Sequence, residues 1–246
     1  MKEINIESEK IFHNKIFKTN QRKGLDEFYG FAKYIYTEFE NAIKNNISSD
    51  SVVLEFGCGM KSIINDLGLK TKHRYAFDIS DYAIQVNQKK YPETVYQVCD
   101  AHKLEYDDNF FDIIFGSSIL HHLMLDKAIP ELNRVIKPNG LLLFLEPLGH
   151  NYFINKFRNK TPEMRSEDEH PLLISDLKFI SQNFNISKTK FYCLFPLAVN
   201  FVFKSKKVEC LYGIAKKMDQ ILFTLLPFTR KYAWIVVIIG RKNKSH

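Results

Sequence analysis

Five short apolar runs, Ser51 to Phe56, Tyr75 to Ile79, Val95 to Cys99, Phe111 to Phe115 and Leu141 to Leu145, recur along the chain with amphipathic stretches between them. Runs of this length, rich in Val, Ile, Leu and Phe, suit strands covered on both faces. Their alternation with helical stretches predicts an α/β fold, a largely parallel sheet with helices on both sides. Between the runs, Asp81 can cap a helix beginning at Tyr82, and Asp126 starts one whose Ile129, Leu132, Val135 and Ile136 share a face. Pro138, Asn139 and Gly140 stop that helix and turn the chain into the fifth run.

The flanks read differently. Leu25 to Lys44 predicts a helix with Phe28, Phe31, Tyr34, Ile35 and Phe39 near helical spacing, packed on the sheet or lidding a ligand. Pro147 to His170 is polar, carries both charges and has no period, which predicts a functional loop. Leu172 to Phe184 reads as helix, Lys188 to Leu197 as extended chain, and Ala233 to Gly240 as a buried final strand before a basic tail. Val208, Leu211, Ala215, Met218, Leu222 and Leu225 form an apolar seam ending before Pro227. Such a seam packs on its own domain, on a second copy in a homodimer, or on a membrane. The 246 residues suit one domain: a helical segment over 1–50, a ligand-binding core over 51–146, a substrate loop over 147–171 and a helical insertion over 200–230.

The strongest chemical signal is Val52-Val53-Leu54-Glu55-Phe56-Gly57-Cys58-Gly59, an apolar strand ending in an acid and a glycine turn where backbone can approach a ligand. A second strand ends at Asp78, placed to accept hydrogen bonds from ribose hydroxyls, and a third at Cys99-Asp100-Ala101. Three successive strand ends of this kind seat one nucleoside-like ligand on the carboxyl edge of the sheet, beside its switch point.

Over Ser51 to Leu145 this combination resembles the class I S-adenosylmethionine-dependent methyltransferases of the type 11 kind, with Phe111-Asp112-Ile113-Ile114 and Lys137-Pro138-Asn139-Gly140 falling on similar segments. The resemblance implies a Rossmann-like seven-stranded sheet, its last strand antiparallel, and S-adenosylmethionine as cofactor. It implies that Glu55 lies near the methionine end, that Gly57, Cys58 and Gly59 line the cofactor, and that Asp78 with Ile79 holds the ribose. Asp100 and Ala101 would lie by the adenine, and Ser117 or Ser118 would face the methyl group. Lys61 departs from the pattern, which often has glycine there. The competing pattern is a dinucleotide site of an NAD-dependent oxidoreductase, because Gly57-x-Gly59-x-x-Ser62 approaches the pyrophosphate fingerprint. Ser62 replaces its third glycine, and Glu55 would oppose a pyrophosphate.

Methyl transfer depends on aligning the acceptor and sometimes on a base. His121, followed by His122 in Ser118-Ile119-Leu120-His121-His122-Leu123, is one candidate, although similar elements in related enzymes are structural. Glu146 and His150, in Glu146-Pro147-Leu148-Gly149-His150-Asn151, and His170, in the charged stretch Thr161 to Pro171, are the others. That last region resembles a similar segment in a group of bacterial methyltransferases. HExxH spacing is absent, and Cys58, Cys99, Cys193 and Cys210 form no CxxC pair, so no metal site and no disulfide framework are expected.

The net charge of +7, with pI near 9.0, favours nucleic acid, an anionic membrane or an acidic substrate. Scattered Lys and Arg without interleaved aromatic residues disfavour nucleic acid. Met1 to Lys10 lacks the apolar stretch of a secretory signal, and Phe191 to Phe203 is shorter than a bilayer span, so the expected location is cytoplasmic or peripheral to a membrane. The expected reaction is methyl transfer to a small-molecule, lipid or glycan-type acceptor. The alternatives are RNA methylation, a non-catalytic cofactor-binding or interaction protein, and the oxidoreductase.

Overall fold

The computed structural model describes residues 4–19, 30–69, 71–203 and 208–243. Seven strands form one sheet: β1 (Val53–Phe56), β2 (Arg74–Asp78), β3 (Val95–Val98), β4 (Phe111–Ser117), β5 (Ile136–Pro147), β6 (Phe184–Tyr192) and β7 (Ile235–Lys242), in the order β3-β2-β1-β4-β5-β7-β6. β1 to β5 are parallel, and β7 runs antiparallel to both β5 and β6. The expected α/β class, seven strands and antiparallel last strand are all present.

The period of two in the apolar runs explains both faces of the sheet. Leu142 and Phe144 of β5, with Ile114 of β4, join the core under α5 (Leu125–Val135), where Ala128, Ile129, Leu132 and Val135 are buried; Phe111 joins them because the register shifts between it and Ile113. Their neighbours Leu141, Leu143, Leu145, Ile113 and Phe115 pack on the opposite face against Ile35, Phe39 and Ile43 of α2 (Lys33–Lys44). A run apolar on both parities is therefore what a two-sided sheet requires.

Several local expectations are corrected. Ser80, not Asp81, caps α4 (Asp81–Lys90), accepting the Ala83 N–H at 3.1 Å. α5 gives way to β5 at Ile136, and Lys137 to Gly140 form an irregularity within the strand, with Asn139 at φ 64°. The stretch after Pro147 is not all loop: Asn151 accepts the N–H groups of Phe153 and Ile154 and starts α6 (Tyr152–Lys160). α7 (Ile174–Asn183) follows as expected. Extended chain ends at Tyr192, because Cys193 at φ 64° turns it into α8 (Phe195–Phe203). Of the helix expected from Leu25, residues 25–29, including Phe28, lie outside the described residues. An additional helix, α1 (Ile6–Thr19), carries no clear apolar period.

The seam falls largely on α9 (Glu209–Leu225), and only part of it faces its own domain: Ala215 is buried and Val208 and Leu222 are half-buried, whereas Leu211, Met218 and Leu225 are exposed. Asp219 and Phe223 complete the buried side, and Ile214 and Ile221 are exposed with the outer part of the seam. Asp219 sets that rotation by accepting the Leu194 and Phe195 N–H groups (3.1 and 2.8 Å) at the start of α8. Asp219→Ala leaves both donors without this acceptor. It should lower stability by about 1–3 kcal/mol, read as a drop of several degrees in thermal midpoint by circular dichroism.

Candidate active site

The strand order reverses between β1 and β4, and a crevice opens there at the carboxyl ends of the strands. It holds a cavity of about 1200 Å³ lined by Glu55, Gly57, Cys58, Gly59, Asp78, Ile79, Asp100, Ala101 and Ser117 among others. Each residue expected from the sequence to touch a cofactor therefore lies on one cavity wall.

Glu55 is the internal anchor of this floor. Its carboxylate, 2% exposed, accepts the Ser62 hydroxyl at 2.6 Å and the Ile63 and Ile64 N–H groups at 2.7 and 3.1 Å. Those amides open the one-turn helix α3 (Ile63–Asp66), so the carboxylate closes the glycine loop back onto β1. Burial outweighs these bonds and pushes the carboxyl up to about 7. Asp78 accepts the Gly59 N–H at 2.8 Å and the Ser80 N–H at 2.9 Å, and burial raises its pKa as well. Gly57, at φ +74°, leaves no room for a side chain: an added Cβ would lie 2.6 Å from Ile119. Asn87 of α4 pins the loop from below, donating to the Gly59 carbonyl at 2.7 Å. A lone Asn in an amphipathic helix carries no sequence signal for that role.

At the third strand end, the Met124 N–H donates to His102 Nε2 (2.9 Å), which leaves the ring proton on Nδ1 to donate to Asp100 (2.7 Å). Burial opposes ionisation of Asp100, but the two hydrogen bonds from His102 prevail and hold it below the usual carboxylate range.

Comparison with known proteins agrees with this geometry. Residues 54–144 match the family model described as a methyltransferase domain. Over that stretch the chain is similar to methyltransferase domains. A tRNA (carboxymethyluridine(34)-5-O)-methyltransferase of Arabidopsis thaliana is 36% identical over 107 residues, covering 42% of this chain and 25% of that protein. The ubiquinone/menaquinone biosynthesis C-methyltransferase UbiE of Paraburkholderia phymatum is 39% identical over 70 residues, 25% of this chain and 28% of that one. The chain thus spans only about a quarter of the length of these curated relatives. Among solved structures, phosphoethanolamine N-methyltransferase 2 of Haemonchus contortus in complex with S-adenosyl-L-methionine shares the fold, with TM-score 0.61 and 15% identity over 94% of this chain and 60% of that one.

The remaining walls of the cavity come mostly from outside the matched stretch. α1 supplies Ile6, Glu9, His13, Ile16 and Phe17 to the cavity, and α2 supplies Lys33, Tyr36 and Glu40. Asn14 docks α1 over the second strand end, donating to Asp81 at 2.6 Å and accepting the Ser80 hydroxyl at 2.6 Å. His122, buried, completes this side of the wall.

None of His121, Glu146, His150 and His170 lines the cavity. Glu146, fully buried at the end of β5, accepts the Ile119 and Leu120 N–H groups (both 2.9 Å) and faces His121 Nδ1 at 2.7 Å. The pair fixes the turn that presents Ser118, Ile119 and His122 to the cavity. His150 Nε2 accepts the Ile174 N–H at 3.3 Å. His170 is exposed, and its backbone N–H donates to the His121 carbonyl at 2.9 Å, which brings the charged stretch behind the His121-His122 turn. There Arg158 and Arg165 pair with Glu169, Ser166 Oγ stands 3.5 Å from His122 Nδ1, and Asp168 accepts the Asn5 N–H at 3.1 Å.

Asn14→Ala removes the polar tie of α1. Amide exchange should quicken over Ile6–Thr19 while β1, β4 and β5 keep their protection, measured by hydrogen exchange with mass spectrometry.

Proposed function

We propose that the protein is an S-adenosylmethionine-dependent methyltransferase acting on a small-molecule, lipid or glycan-type acceptor. Glu55, Gly57, Cys58, Gly59, Asp78, Ile79, Asp100, Ala101 and Ser117 form its cofactor site. One observation carries the choice of cofactor. The first N–H groups of α3, which a dinucleotide pyrophosphate would need, are already held by the Glu55 carboxylate. With Asp78 and Asp100 at the next two strand ends, each of the three strand ends that line the cavity carries a carboxylate. That charge opposes a pyrophosphate and suits a ligand bearing a sulfonium and an ammonium group.

When bound, S-adenosylmethionine supplies a methyl group on a sulfonium sulfur, open to in-line displacement by an acceptor. The chain itself aligns the partners and excludes water. Asp78 offers ribose hydroxyls its remaining lone pairs, and the Gly57 backbone lets the ligand approach closely. At about 1200 Å³ the cavity exceeds the roughly 300–1,000 Å³ of single-ligand pockets, which supports an acceptor bound beside the cofactor. Its acceptor-side wall combines apolar Ile6, Ile16 and Phe17 with polar Glu9, His13 and His122. His121 and Glu146 act as positioning residues for the His122 turn. His150 and His170 brace the segment behind it.

An acceptor with an apolar body, reached at a membrane surface, fits a further feature. Leu211, Ile214, Met218, Ile221 and Leu225 stand exposed along α9 with Phe228 beyond, and Lys217 and Arg230 lie among them. Among the described residues, no helix is long and apolar enough to cross a bilayer. Sedimentation with anionic vesicles at low salt should carry the protein down, and Ile221→Glu should reduce that; no sedimentation removes the membrane-facing acceptor.

Asp78→Ala should weaken S-adenosylmethionine binding by on the order of 1.5–3 kcal/mol, roughly 10- to 150-fold in calorimetric titration. The pH dependence follows from Glu55. A cationic ligand favours its charged form, so affinity should rise as pH climbs through about 7. In Glu55→Gln that rise should be lost.

A further inference from the structure

Glu9 and His13 lie one turn apart on α1, and His122 faces them from the turn after β4. Glu9 Oε2 stands 3.3 Å from His13 Nε2 and 3.3 Å from His122 Nδ1, yet it accepts no hydrogen bond among the described residues. Glu9 is only 5% exposed, so this is a buried carboxylate oxygen whose neighbours are two imidazoles and the Ser166 hydroxyl, none of them in a well-aligned hydrogen bond to it, and an ion between the three side chains would satisfy it. Both distances are those of a coordination sphere, and the three ligand atoms all lie within 4.8 Å of one another. Nitrogen and oxygen atoms 2.0–2.1 Å from a tetrahedral ion stand about 3.4 Å from one another.

A second trio, His121, His122 and Glu169, is also close enough to share an ion, but its chemistry differs. His121 Nδ1 is engaged by Glu146, and Glu169 is paired with Arg158 and Arg165, whose guanidinium charges repel a cation. Beside the Glu9 trio stands the neutral Ser166 hydroxyl, 3.5 Å from His122 Nδ1, and no guanidinium pairs with Glu9 among the described residues; all three residues of the trio line the cavity.

We propose that Glu9, His13 and His122 form a site for one divalent first-row transition-metal ion on the acceptor side of the cavity. Two imidazoles and one carboxylate suit Zn²⁺, Fe²⁺ or Mn²⁺, and three protein ligands leave a position open toward the cavity. That position takes an oxygen of the acceptor, which selects acceptors bearing a hydroxyl or carboxylate and fixes them for alignment. Only this last role rests on the methyltransferase reading. The ion site stands on the three side chains alone.

The test loads the chelator-treated full chain with Co²⁺, read by its visible absorption, and displaces it with Zn²⁺ followed by calorimetry and elemental analysis. One equivalent per chain is expected. Glu9→Gln and His13→Gln, each checked for folding by circular dichroism, should weaken uptake at least about tenfold, while His73→Gln, on an exposed loop, should leave it unchanged. His13 is only partly buried, so that variant tests the site without opening the core. Absence of stoichiometric uptake by the wild-type chain, or uptake that survives both ligand substitutions, overturns the site. S-adenosylmethionine titration of the same metal-free sample separates the two readings: binding of the cofactor without metal uptake sinks the ion site alone.

Discussion

The floor of the site depends on one buried carboxylate. Glu55 accepts three donors from the segment that follows the glycine turn, and in doing so fixes where Gly57 and Gly59 run. Gly59 in turn donates to Asp78, so the ends of β1 and β2 are held at a set distance through hydrogen bonds, not through side-chain packing. Below them Phe56, Phe77 and Phe144 meet edge to face, with ring centroids 4.7 and 5.8 Å apart, and give that polar layer a rigid apolar base. The cost of burying an acid there is visible in the raised pKa of Glu55, and a cationic ligand offsets it.

The same logic recurs one layer up. Glu146 holds the turn after β4 as Glu55 holds the turn after β1, each with a carboxylate at a strand end gathering backbone N–H groups. In sequence both look like candidates for chemistry, since each is an acid at the end of an apolar strand. Their lone pairs are spent largely on the fold. The sheet edge is thus shaped by acids that support loops, while the groups turned toward the acceptor come from elsewhere.

What was legible in the sequence follows from packing. β1 to β5 are buried on both faces, so their apolar runs are continuous and stand out. The strand-end residues Glu55, Asp78 and Asp100 were readable because the register of an open α/β sheet sets them about twenty residues apart. α1 was not readable, because its inner face, Ile6, Glu9, His13 and Ile16, looks into a cavity and so mixes polar with apolar positions. α9 misled for the opposite reason. Its best apolar period is turned outward, while its buried side includes Asp219, which serves the start of α8. The three residues of the proposed ion site escape any motif search, since they lie on segments separated by the whole of β1 to β4.

The family match ends at residue 144, inside β5. The two helices that wall the cavity from the N-terminal side, α1 and α2, precede the matched stretch, and the segment behind His121 and His122 follows it. Those two flanks touch each other across the matched core: Asn5 with Asp168, and Glu9, through His122, with Ser166. Under the proposed function, acceptor choice is written jointly in two stretches of chain that never adjoin in sequence. Among descendants of such a protein they should co-vary with each other more tightly than either does with the segment between them.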